Sequence, residues 1–333
     1  CLWLLVRELE LIRVHELDRS QQPDNARSMR RAPVLVTGSH RSGSTWVGKT
    51  LAMDPSLGYI REPLSVLHRR GICDVSFPYW FPYICDENEG PYIRPIRDML
   101  DFRYHPLAGT RSIRSPRDVA VSGYDWYRFL RYRARRARPL VKDPIAVFSA
   151  GWLADRFGTQ VVVLIRHPAA FAGSLKRYGW THPFEHFVAQ PLLLRDLLDP
   201  YADAINEYAR APRDVVDQAI LLWNLIHHVV LKYRTSRPDW SFFRHEDLSR
   251  EPVAQFQEMF HQLGLTLSEA AITEISKSTA ASNPIEASDA GSLKRDSRSS
   301  IATWGSRLTP EEIARVRAGV EPLASHFYSE SDW

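Results

Sequence analysis

Residues 34–50 read VLVTGSHRSGSTWVGKT. An apolar run ends in glycine, a loop rich in Gly and Ser follows, and the next residues suit a helix. This strand, loop and helix corner opens a parallel β-α-β unit and turns backbone N–H groups toward an anion. Two phosphate-loop strings overlap here. GSTWVGKT, from Gly43 to Thr50, is a complete Walker A match, whereas GSHRSGST, from Gly38 to Thr45, has Ser44 where the lysine belongs and carries its cation early, at Arg41. A phosphate loop works between a strand end and a helix N-terminus, so its first glycine must leave the strand directly. Gly38 does so. The Gly43 frame starts five residues later and puts Gly48, Lys49 and Thr50 inside the helix, past the amides of the cradle. A nucleoside triphosphatase also wants an apolar strand ending in Asp to organise magnesium, and the best candidate, QVVVLIR, ends in Arg166. The residues describe a nucleotide site without an obvious metal.

The rest of the chain supplies the sheet. APVLVTG, LGYI, RPLVKDP, QVVVLIR and WSFFRHEDL read as short strands or strand ends. Helical patterns lie over Trp46 to Met53, Val147 to Phe157, Ala169 to Tyr178, within Pro191 to Arg234, and over Pro252 to Leu263. Apolar strands alternating with helices predict an α/β fold with a parallel sheet flanked by helices. Residues 1–30 are expected to be a helical lead-in and 31–333 a single domain. Pro63 to about Arg114 reads as loops and short helices over a pocket, and Ser278 to Ser300 as a flexible loop. YDWYRFLRYRARRARP reads either as the lining of an acceptor pocket or as an amphipathic helix with a solvated basic face, touching the core through Tyr124, Tyr127 and Leu130.

Composition limits the class. With 44% apolar residues among 333, the chain can bury a large core. It has no apolar run long enough for a membrane span, so a soluble, cytoplasmic protein is expected. Cys1, Cys73 and Cys85 are too few and badly spaced for a disulfide framework or a zinc site. The net charge of +4 is unevenly spread: twelve arginines stand against four aspartates between Arg94 and Arg138. That surplus suits an anionic ligand.

Four stretches in order carry a resemblance. GSHRSGSTW and LIRHPAAFAGSLKR, with Arg166 eight residues before Ser174, resemble the two nucleotide-binding signatures of sulfotransferases that use 3′-phosphoadenosine 5′-phosphosulfate (PAPS). FFRHEDLSREP is similar to that family's acidic strand-end segment, and SRSSIATWGSRLTPEE to its C-terminal basic loop and late helix start. The match runs from about Pro33 to Val316.

The resemblance implies a P-loop-like sulfotransferase fold with long acceptor-binding insertions. It also implies sulfuryl transfer from PAPS to a hydroxyl or amine of a carbohydrate or small molecule, leaving the bisphosphate PAP, with no metal and no nucleic-acid partner. On that pattern the amides of Ser42, Gly43, Ser44, Thr45 and Trp46, with the Thr45 hydroxyl, hold the 5′-phosphosulfate, and Arg41 approaches the sulfuryl group. Arg166 and Ser174 grip the 3′-phosphate. Ser297, Arg298 and Ser299 align with the second 3′-phosphate clamp, although they depart from the usual basic-basic-Gly pattern, and Lys294 or Arg295 are alternatives. Trp46 serves adenine stacking and core packing equally well.

The reaction needs a base for the acceptor proton. Glu62, in GYIREPLS, stands at a strand end beside Arg61, where several carbohydrate sulfotransferases place theirs; the alternative is an Arg61–Glu62 surface pair before a proline turn. Lys142 is its expected partner, and His68 and His105 are rivals. Trp223, His227 and His228 read as core. Two other functions remain open: a P-loop kinase or NTPase using Gly43 to Thr50, and a non-catalytic polyanion binder built on the arginine-rich stretch.

Overall fold

The computed structural model describes residues 32–211, 213–285 and 293–333. The expected lead-in over residues 1–30, and part of the Ser278 to Ser300 loop, lie outside the described residues. The elements used below are β1 (Val34–Gly38), α1 (Ser44–Leu51), β2 (Leu57–Arg61), α2 (Gly90–Leu100), α3 (Pro116–Ala134), β3 (Arg138–Lys142), α4 (Ala150–Phe157), β4 (Gln160–Ile165), α5 (Pro168–Tyr178), α6 (Val215–Ser236), β5 (Ser241–Arg244), α7 (Pro252–Gln262), α8 (Glu269–Thr279) and α9 (Pro310–Val320).

The five strands form one parallel sheet in the order β2-β3-β1-β4-β5. Side chains alternate across it, as strand geometry requires. Leu35, Val141, Val161 and Val163 enter one core, with Phe129 of α3, Leu153 of α4, Phe171 of α5 and Trp223 of α6. Val34, Val36, Leu140, Val162 and Leu164 enter the other, with Val47 and Leu51 of α1, Phe256 of α7 and Ile275 of α8. Both faces are therefore covered, and near-continuous apolar strands such as VVVLI are the result.

After β1 the chain crosses to one side of the sheet for β2 and β3, then to the other for β4 and β5. The reversal at β1 opens a crevice beyond the carboxyl ends of the strands, where α/β proteins place ligands. The register aligns those ends: Gly38 faces Leu164, Val36 and Arg61 both face Lys142, and Ile165 faces Arg244.

Local differences from the sequence reading have physical causes. The helix expected from Val147 begins as a 3-10 turn, Pro144–Ser149, because Pro144 sits at its first position and the Asp143 carboxylate accepts the Ile145 N–H at 3.2 Å. α3 corrects a larger expectation. Its inner face carries Phe129, packed against Phe102 at 5.6 Å, and buried Asp125, paired with Arg69 at 2.8 Å. Tyr124, Tyr127 and Leu130 point outward instead of touching the core. Trp223 and His227 are core, as expected, stacked at 3.9 Å. Cys73 and Cys85 are free thiols.

Candidate functional site

β1 delivers the loop at Gly38, whose φ of 135° excludes other residues and where a Cβ would run into the Leu164 carbonyl oxygen. Gly43 closes the loop at φ 88°, and a Cβ there would come within 2.6 Å of His245 Nδ1. Between the two glycines Arg41 has φ 65°. The first helical bond of α1 runs from the Val47 N–H to the Gly43 carbonyl at 3.0 Å, so the preceding amides, Ser44 to Trp46, belong to the turn that no intrahelical carbonyl serves. Ser39, Ser42 and Ser44 are buried in this corner. The GKT end of the complete Walker string lies past this corner. Gly48, Lys49 and Thr50 are inside α1, and Gly48 packs where a Cβ would approach Lys142 Cγ to 2.9 Å.

A group of cations faces the loop from the β4 side. The Arg166 guanidinium, 9% exposed, donates from Nη1 to the Arg41 carbonyl, and its buried Nε has no protein partner. The Arg41 Nε donates to Ser174 Oγ at 3.0 Å, and its guanidinium lies 4.5 Å from the Tyr178 ring and 5.5 Å from that of Trp180. Arg41, Arg166 and Ser174 are thus brought together from β1, β4 and α5. Burial pushes Arg166 down to about 10; buried Glu246 opposes this, while Arg41, Arg295 and Arg307 add to it. His245, beneath Gly43, is likewise held well below the usual imidazole value, first by burial and then by Arg166 and Arg295.

Arg307 reaches the site because Gly173 of α5 leaves its backbone open, so that Arg307 Cβ and Trp304 Cβ would lie 3.5 and 3.4 Å from any added Cβ. Glu246 is fastened below the cluster. It accepts the His167 N–H and the Tyr328 hydroxyl, both at 3.0 Å. Guanidinium groups of Arg41, Arg166, Arg295 and Arg307 gather here, an arrangement that suits a ligand carrying more than one negative charge.

A second group sits at the ends of β2 and β3. Glu62 has φ 46°, and its N–H donates to the Lys142 carbonyl at 2.7 Å. Its carboxylate pairs with the Lys142 ammonium. The Lys142 side chain is fully buried, while 34% of the Glu62 side chain remains accessible, so the carboxylate alone of the pair is presented to a ligand. Burial lowers the Lys142 pKa and Glu62 opposes the shift. Arg61, at 3.8 Å from Glu62, is mostly in solvent. Asp143 accepts the Leu64 N–H at 2.7 Å and is pushed up to about 7 by burial. β2 and β1 are separated only by β3, so Glu62 leaves the sheet about 10 Å from the loop that follows β1.

Other candidates are committed differently. Ser297 Oγ donates to the Ser249 carbonyl at 2.8 Å, Arg298 donates to the Arg250 carbonyl at 2.8 Å, and the Ser299 N–H serves Asp296 at 3.0 Å. Arg295 and Arg307 are the basic residues of the late loop that influence Arg166. Trp46 packs edge-on to Phe256 at 5.2 Å and to His245 at 6.2 Å, with its indole N–H buried and without a protein acceptor. Both ring nitrogens of His68 face carbonyls, those of Ser65 and Cys73 at 2.7 and 3.0 Å, and His105 lies 3.5 Å from Asp98. Arg307 and Glu246 were not singled out from the sequence. Both stand inside stretches quoted above, three residues after Trp304 and two after the end of β5, so position relative to strand end and tryptophan was the available signal.

No family model and no curated protein matches the chain. Among solved structures, it is similar to a sulfotransferase domain of the Synechococcus PCC 7002 olefin synthase, at 19% identity over 89% of this chain and 94% of that one, TM-score 0.45. It is also similar to a mouse sulfotransferase complexed with PAP, at 11% identity over 91% and 87%, TM-score 0.46. A sulfotransferase from Alicyclobacillus acidocaldarius aligns at 13% identity over 91% and 98%, TM-score 0.44.

Proposed function

We propose that the chain is a sulfotransferase that moves a sulfuryl group from PAPS to a hydroxyl, or an amine, of a carbohydrate or small-molecule acceptor. The observation that carries this reading is the buried Arg166, joined to the loop through the Arg41 carbonyl and surrounded by Arg41, Arg295 and Arg307 beside Ser174. A triphosphate held at the loop would leave such a lateral cationic pocket unused. A nucleotide with a second phosphate on its ribose fills it.

The donor supplies the sulfuryl group and a phosphate leaving group. The amides of Ser42 to Trp46 and the Thr45 hydroxyl hold its 5′ end, with the dipole of α1 behind them. Arg41 balances the charge that grows on the departing phosphate oxygen. Arg166 and Ser174 fix the 3′-phosphate, aided by Arg295 and Arg307. Glu62 takes the acceptor proton as the acceptor oxygen or nitrogen bonds to sulfur and the bond between sulfur and the phosphate oxygen breaks. Lys142, held against Glu62, orients that carboxylate and adds positive charge near the transferring group.

The test is calorimetric titration with adenosine 3′,5′-bisphosphate and with ATP, each with magnesium and with EDTA. Tight binding of the bisphosphate, unchanged by EDTA, is expected. Binding of ATP that requires magnesium, with none of the bisphosphate, would refute the reading and restore the Gly43 frame.

A further inference from the structure

α3 is turned the wrong way round for a surface helix. Helices on a protein surface bury their apolar stripe and give polar residues to water. Here Val119, Trp126 and Leu130 are 55%, 49% and 47% exposed. At about 100° per residue they fall within about 40° of one another along the outer face, over a length of roughly 16 Å. Two exposed arginines stand at its C-terminal end: Arg133 beside the stripe, and Arg131 about 100° farther round the helix than Leu130, its guanidinium 5.7 Å from the Tyr127 ring. The acids of the helix are engaged elsewhere, Asp125 in the buried pair with Arg69 and Asp118 at the Ser115 cap. The inner face is anchored to edge strand β2, where Arg128 donates to the Tyr59 carbonyl at 2.6 Å and Arg135 to the Leu57 carbonyl at 2.7 Å.

An aromatic and aliphatic stripe with arginines at one end has the chemistry of a helix that lies in the interface of an anionic bilayer. We propose that the outer face of α3 docks on a membrane surface rich in anionic lipid, with Val119, Trp126 and Leu130 entering the headgroup boundary and Arg131 and Arg133 meeting lipid phosphates. A soluble polyanion matches the arginines and leaves the apolar stripe unused. No helix among the described residues is long and apolar enough to cross a membrane.

The test is co-sedimentation of the full chain with phosphatidylcholine vesicles, with and without about a third phosphatidylserine. Binding to the anionic vesicles only is expected. Trp126→Ser with Leu130→Ser should weaken it at least tenfold, because two buried apolar side chains are lost. Arg131→Gln with Arg133→Gln should weaken it roughly 25-fold, at about fivefold per arginine. Unchanged thermal melting of both variants confirms that they fold. Absence of vesicle binding overturns the proposal. So does heparin binding lost only in the arginine variant while vesicle binding persists in both, and so does a dimer by light scattering that Trp126→Ser with Leu130→Ser dissolves.

Discussion

Replacing Arg166 with Met should separate ligand affinity from stability. The folded protein holds this guanidinium at a pKa near 10 against an ordinary 12.5, with burial the main cause. A cation whose folded pKa is lowered costs stability wherever both states are charged, that is, at any pH below about 10. At 1.36 kcal/mol per unit the penalty is on the order of 3 kcal/mol. Arg166→Met removes it, and also removes the charged hydrogen bond to the Arg41 carbonyl, which contributes about 1.5–3 kcal/mol. The two nearly cancel. The melting temperature of the ligand-free protein should therefore stay within a few degrees of the parent or rise. Affinity for adenosine 3′,5′-bisphosphate should fall about 10- to 150-fold, the equivalent of one charged hydrogen bond. Adenosine 5′-phosphosulfate, which lacks the 3′-phosphate, is the control and should bind the two proteins within about threefold. Calorimetry with both ligands and a melting curve suffice. Equal losses for the two ligands would refute the 3′-phosphate assignment, and a large drop in melting temperature with affinity intact would make Arg166 a fold residue.

Glu62→Gln keeps the shape and the Lys142 contact but cannot take a proton, so turnover should fall about 10²- to 10⁴-fold with bisphosphate affinity unchanged; near-normal turnover would exclude it as the base. Lys49→Ala should leave ligand binding and turnover within about twofold, because Lys49 stands inside α1; loss of activity would favour the Gly43 frame. Gly38→Ala should abolish bisphosphate binding and destabilise the fold by more than the roughly 1–3 kcal/mol of backbone strain alone, since the Leu164 carbonyl it would strike is sheet backbone; melting curves and calorimetry check it. Asp143 has a folded pKa raised from 3.8 to about 7, so it holds a proton between those values and the stability this contributes is lost as pH rises through 7, up to about 4 kcal/mol in all. Asp143→Asn should therefore gain melting temperature relative to the parent as pH rises from 4 to 7 and then hold a constant difference; parallel profiles would refute the shift.

The sheet was legible in the sequence because each strand is a short apolar run, and the strand, loop and helix corner from Gly38 to Ser44 because a strand end and a helix start can be counted along a chain. α3 was misread because its inward positions include Asp125 and Arg128, polar residues that tertiary partners neutralise: Arg69 for the first and the Tyr59 carbonyl for the second. A period of apolar residues cannot report such pairs, so the stripe that remained visible was the outward one. The late basic loop was ambiguous for a related reason. Several arginines lie within a few residues, and only tertiary placement, such as the packing of Arg307 over Gly173, distinguishes those near Arg166. Glu62 was legible from its place at a strand end, but its attachment to Lys142 depends on the register of two strands that are far apart in sequence.

The full Walker string has a consequence for how such chains are catalogued and how they diverge. Gly48 is small because Lys142 passes beneath α1, and Lys49 and Thr50 follow it on a helix already under way. At about 1.5 Å per residue, Gly48 is carried roughly 7 Å along the axis from the loop's last glycine, with its N–H group already taken up by the helix. Pattern matching blind to where a strand ends would file this chain among triphosphate users on a Gly48 that packs against Lys142 and on a Lys49 and a Thr50 within the helix. Presenting the GKT end to a phosphate would require moving the point at which the helix begins, a change that no single substitution makes.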